Sequence, residues 1–64
     1  MNIDEKRKLV TIARNKGCTL NGKRAFISGV RNDFASVWCD SGESYEWSWS
    51  AVERVMSKGG NFTS

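Results

Sequence analysis

This 64-residue chain predicts an α+β domain, mainly β. The expected order is an N-terminal helix, a small antiparallel curled sheet, and a short C-terminal helical turn. Three observations carry that expectation. Residues 18–49 break into short alternating segments separated by tight polar turns, as the strands of a meander do. The opening segment instead places its apolar residues within one helical arc. Finally, Tyr45-Glu46-Trp47-Ser48-Trp49-Ser50 alternates aromatic with polar residues, which in a strand puts Tyr45, Trp47 and Trp49 on one face.

The helix comes first. Asn2 is suited to an N-cap with Glu5 three positions on, and Ile3, Leu9, Val10 and Ala13 share an arc. A strand through Leu9–Ala13 competes, because Val, Thr and Ile are adjacent there. The helix is favoured because the acids precede the bases, as the helix dipole prefers. Lys16-Gly17 makes the stop.

Next comes the sheet. Cys18-Thr19-Leu20 has β texture and Asn21-Gly22 is a strong hairpin signal. Lys23–Val30 alternates, with Ala25 and Ile27 opposite Phe26, Ser28 and Val30. Arg31-Asn32-Asp33 turns the chain. Phe34–Cys39 alternates again, with Ala35, Val37 and Cys39 opposite Phe34, Ser36 and Trp38. Asp40-Ser41-Gly42-Glu43 is a turn, and the aromatic strand Ser44–Trp49 follows. Beyond it, Ser50–Ser57 reads two ways. Ser50 and Glu53 have capping-box spacing and Val52, Val55 and Met56 form a helical stripe, yet one helical turn leading into a strand through Arg54-Val55-Met56 fits as well. Residues 58–64 are expected to be a loose tail, with Phe62 pinned back at most.

One domain is all that this length allows: a helical segment 1–17, a meander plus helical turn over 18–57, and the tail. A flat three-stranded sheet would leave one aromatic face wet, so curling into an SH3-like partial barrel or covering by the helix is expected. About 60% of the unfolded surface is buried in a chain this short, so each large side chain counts. Tyr45, Trp47 and Trp49 are therefore expected to serve as core rather than as a working surface. For Trp38 both placements stand, exposed beside Phe34 or packed under the helix.

Composition narrows the function. There is no histidine, so the commonest general base and metal ligand are both missing, and Cys18 and Cys39 lack metal-ligand spacing. Neither enzyme chemistry nor a cofactor is expected. Gly17-Cys18-Thr19-Leu20-Asn21-Gly22-Lys23 matches the first seven positions of a phosphate-binding loop, but Arg24 stands where that loop needs Ser or Thr, and the segment leaves a helix instead of opening one. The polar start and the lack of a long apolar run point to the cytoplasm, no membrane association and reduced thiols. Residues 1–24 hold seven bases and two acids, +5, while residues 25–64 hold three bases and five acids, −2. Such polarity steers partners.

Two binding surfaces follow. Phe34, Trp38 and Arg31 could anchor a protein partner, since Trp and Arg dominate binding hot spots. Lys6, Arg7, Lys8, Lys23 and Arg24 could meet the phosphates of a nucleic acid while rings stack on its bases. A third reading is an oligomer that sequesters a ligand between copies.

The runs Asn21–Gly29, Phe34–Val37 and Glu46–Val55, about half the chain, resemble small accessory proteins encoded by bacteriophages. That resemblance implies a short, non-catalytic protein of the host cytoplasm that regulates or inhibits a host or viral macromolecule by binding it.

Overall fold

The structure is a computed structural model describing residues 1–63. Its elements in order are α1 (Ile3–Lys16), β1 (Cys18–Leu20), β2 (Lys23–Val30), β3 (Phe34–Cys39), β4 (Ser44–Ser48), α2 (Trp49–Ser57) and β5 (Asn61–Phe62). The fold is α+β and mainly β, as the alternation foretells. One five-stranded sheet runs in the order β4-β3-β2-β1-β5, antiparallel except where β5 joins β1 in parallel.

Both ends of α1 are capped as the sequence indicates. Asn2 Oδ1 accepts from the Glu5 amide at 2.9 Å, and the Gly17 amide donates to Ala13. Asp4 and Glu5 occupy the first turn and Arg14 and Lys16 the last, favourable at both poles of the dipole. The Asn21-Gly22 turn has φ of +54° and +84°, the left-handed pair that a tight two-residue hairpin between twisted strands demands.

One sheet face carries Cys18, Leu20, Ala25, Ala35, Val37 and Cys39, all buried, and both helices close over it. Leu9 and Ala13 enter from α1, Trp49, Val52 and Met56 from α2, and Phe62 from β5. The sheet is curled into a half-barrel. Its two edge strands meet through side chains, with the Trp47 and Phe62 rings 5.3 Å apart at their centroids. The Trp47 indole N–H is buried and finds no acceptor among the described residues.

The structure corrects four expectations. The aromatic strand stops at Ser48, whose hydroxyl accepts from the Ala51 amide at 3.3 Å and starts α2, so Trp49 is a helical residue and not the third ring of a strand face. Trp49 is buried and Trp47 packs on the core, whereas Tyr45, opposite Val37 at the end of β4, is 39% exposed. Of the two readings of Ser50–Ser57 the helical one holds, and the chain closes with a strand at Asn61–Phe62, not at Arg54-Val55-Met56. The tail is not loose as far as Phe62, which is pinned back and fully buried while the amides of Thr19 and Asn21 donate to Gly60 and Phe62; Ser64 lies outside the described residues. Finally, the alternation of β2 breaks at Ser28, where a bulge lets Gly29 and Val30 pair with Ser36 and Ala35. Val30 thereby leaves the face of Phe26.

Cys18 and Cys39 are free thiols. Both lie opposite Ala25, one on each side of it, so two strand spacings of about 4.8 Å separate them. A disulfide needs Cα atoms within about 7 Å.

Candidate functional site

The outward sheet face is where this fold leaves large side chains in water. Because Ala25 and Ile27 point inward, Phe26 points out; because Val37 and Cys39 point inward, Trp38 does too. Register then sets the two rings directly opposite each other on β2 and β3. Phe26 is 50% exposed and Trp38 43%. Around them the face is polar, with Ser36 and Ser44 beside Trp38, Arg24 two residues before Phe26 on β2, and Glu46 opposite Ser36 on β4. A shallow concavity between Trp38, Ser36, Ser44, Tyr45 and Glu46 adjoins the pair.

Of the residues expected to meet a protein, Trp38 is at the centre of this face and Phe34, half-buried, is at the other end of β3. Four strand steps separate them, about 13 Å. Arg31 is exposed in the turn that precedes β3; its carbonyl accepts from Trp49 Nε1 at 2.8 Å and its amide donates to the Phe34 carbonyl. The three therefore form a strip rather than one cluster. Phe26 was not among the expected site residues. Alternation put it on the right face, but only the β2–β3 register reveals that it neighbours Trp38.

The expected phosphate-binding set divides. Lys6 is withdrawn from it: the residue is buried, its ammonium donates to the Asn32 carbonyl at 2.7 Å, and it stands 5.7 Å from the centroid of the Trp49 ring. These contacts tie the start of α1 and the start of α2 to the 31–33 turn. Arg7 and Lys8 are exposed on α1 and Arg24 on β2. Lys23 is held 3.5 Å from Glu43 in an exposed ion pair.

A second concavity, a groove enclosing about 230 Å³, runs between α1 and β2. Val10, Ala13 and Arg14 form its helical wall, Arg24 to Ile27 its strand wall, and Gly17 and Cys18 its end. Every charged residue lining it is an arginine. The Cys18 thiol donates to the Ala25 carbonyl at 3.3 Å, and burial pushes its pKa up, so it stays neutral. Cys39 is shifted the other way: the Ser41 hydroxyl, 2.9 Å from its sulfur, lowers the thiol pKa against the opposing effect of burial. Among the described residues no three of the His, Cys, Asp and Glu side chains gather where they could hold a metal ion, and no helix is long and apolar enough to cross a membrane.

A scan against protein-family models, a search of curated proteins and a search of solved structures each return no match. The likeness to bacteriophage accessory proteins therefore stands on residue texture alone.

Proposed function

We propose that this chain is a small non-catalytic binding protein that modulates a host or viral protein by docking it on the outward sheet face. Phe26 and Trp38 are its anchor, with Phe34 and Arg31 extending the contact along β3. The observation that carries this reading is the pair of large rings, side by side and about half exposed. At roughly 100 Å² of apolar surface left in water per ring, the pair forgoes about 5 kcal/mol of burial. A 64-residue protein has a total stability of only about 3–10 kcal/mol. A docked partner recovers that burial.

Charge favours a protein over a nucleic acid on this face. Arg24 stands on one side of the rings and Glu46 on the other, an aromatic centre within a rim of both signs, as protein interfaces have. A phosphate backbone asks for one sign throughout. The absence of histidine from the sequence argues for binding over catalysis.

The test is capture from nuclease-treated bacterial lysate by the wild type and by a Phe26→Ser/Trp38→Ser variant. The expected result is a protein retained by the wild type at moderate salt and lost by the variant. Loss after nuclease treatment, or a fall in affinity of about one power of salt concentration per phosphate contact, would move the assignment to nucleic acid.

A further inference from the structure

We infer that the free edge of β4 takes up an extended protein segment, one that alternates basic with apolar side chains and joins the sheet as a further strand. This deepens the docking reading, on which it rests, by stating how the partner's chain runs beside Trp38.

The backbone supplies the first argument. β4 ends the sheet on one side and pairs only with β3. The Cys39 amide donates to the Glu43 carbonyl at 3.0 Å, which marks these two residues as a bonded pair. Bonded and non-bonded pairs alternate along an antiparallel ladder. Val37 with Tyr45 and Ala35 with Trp47 are therefore bonded pairs, and the amides and carbonyls of Ser44 and Glu46 point away from β3. These groups meet no partner among the described residues, and both residues are exposed. The opposite edge of the sheet is blunted by brevity, since β5 has two residues. β4 keeps five in unbroken register, with no proline, lysine or bulge to discourage a neighbour. At its Trp47 end the Phe62 ring closes the seam, so the open length is residues 44–46.

The side chains select the occupant. Ser44 and Glu46 share the outward face with Trp38 and Ser36, whereas Tyr45 and Trp47 lie opposite Val37 and Ala35 on the other face. Tyr45 is exposed there, so an apolar side chain on the added strand covers its ring. Glu43 has Lys23 as its counter-charge, but Glu46 has no ion pair among the described residues. Residues 33–53 contain Asp33, Asp40, Glu43, Glu46 and Glu53 and not a single Lys or Arg. A base set opposite Glu46 answers that charge. A second copy of this chain does the reverse, since it brings the same carboxylates to the same edge.

Amide hydrogen exchange and two-dimensional amide NMR on the whole chain test the inference, with two short probe peptides, one alternating Lys with Val and the other Glu with Val. In the free protein the Ser44 and Glu46 amides should exchange fast and those of Tyr45 and Trp47 slowly. The Lys-Val peptide should shift amides of residues 43–48 and, at saturation, slow exchange at Ser44 and Glu46 by at least about tenfold. Glu46→Pro removes an amide that the ladder does not use, so the fold should stay while binding falls by at least about tenfold. Glu46→Lys leaves the backbone intact; it should weaken the Lys-Val peptide by about tenfold and favour the Glu-Val one. Equal binding of the two peptides by the wild type would overturn the inference. So would indifference to both Glu46 variants, or shifts centred on Phe26. Slow, concentration-dependent exchange at Ser44 and Glu46 without peptide would also overturn it and give the edge to a second copy. Capture from lysate separates the two readings. A partner kept by Glu46→Pro but lost by Trp38→Thr sinks the edge alone, and peptide pairing at the edge with no protein captured by the wild type sinks the docking face alone.

Discussion

Replacing Phe62 with Ala should nearly or wholly unfold this protein, although the residue sits in a strand of two residues near the end of the chain. Phe62 is fully buried, belongs to the central core cluster and touches the Trp47 ring across the barrel seam. Truncating a buried Phe to Ala costs about 3–5 kcal/mol. The whole fold is worth about 3–10 kcal/mol at typical stability per residue. With a urea m-value of about 1 kcal/mol/M for so small a chain, the midpoint should fall by about 3 M or more. Urea titration followed by both tryptophan fluorescence and far-ultraviolet circular dichroism reads this directly. Phe62→Leu, which keeps most of the volume, should retain the fold and lose less than about 2 kcal/mol. Asn61→Ala, at the exposed neighbour, should lose no more than about 1 kcal/mol with its bond to Thr19. A Phe62→Ala midpoint within about 0.5 M of the wild type would refute the reasoning, since a loose tail would behave that way.

Four further outcomes are expected. Lys6→Met should destabilise by about 1–3 kcal/mol in urea, because the bond to the Asn32 carbonyl and the contact with the Trp49 ring are lost, whereas Lys8→Ala should cost under about 0.5 kcal/mol. Gly60→Ala should lower the thermal midpoint by several degrees, about 4–8 °C per kcal/mol, since φ is +82° and a Cβ would meet the Gly17 carbonyl at 3.2 Å. Stability should also decline at alkaline pH. The folded Cys18 thiol is raised by burial, so its contribution is full below the ordinary thiol range of the unfolded chain and is lost as pH rises through the folded value; Cys18→Ala should flatten that decline in pH-dependent urea melts. Phe26→Ser/Trp38→Ser should abolish partner capture at a stability cost of about 2.5 kcal/mol per half-buried ring, so far-ultraviolet circular dichroism is read alongside the capture; Trp38→Thr alone should keep the fold and weaken capture by at least about tenfold.

The elements fixed by local chemistry were legible in the sequence. Asn2 and Glu5 mark the start of α1, Asn21-Gly22 its first hairpin, and the Ala35, Val37, Cys39 alternation the buried face of β3. What escaped depends on contacts distant in sequence. β5 has two residues and no pattern of its own; it exists because Phe62 fills the core and Thr19 and Asn21 offer amides. The aromatic alternation runs on past Ser48, so period alone continues the strand, whereas the Ser48 cap turns the same residues into a helix. Lys6 reads as one of three consecutive bases on a wetted surface, and only the arrival of Trp49 and the 31–33 turn explains why it alone is buried. Trp38 was open to either placement until the helices proved to cover the opposite face, and Phe26 became its neighbour only through register.

The parallel pairing of β5 with β1 has a kinetic consequence. Thr19 and Asn61 bond to each other across 42 positions of sequence, whereas the β2–β3 and β3–β4 hairpins close over a few residues each. Short loops close in well under a microsecond, and non-local pairings are the slow step in small domains. The hairpins should therefore flicker in and out of existence until the far segment is captured, so that enclosure of the interior and acquisition of the native state are one event.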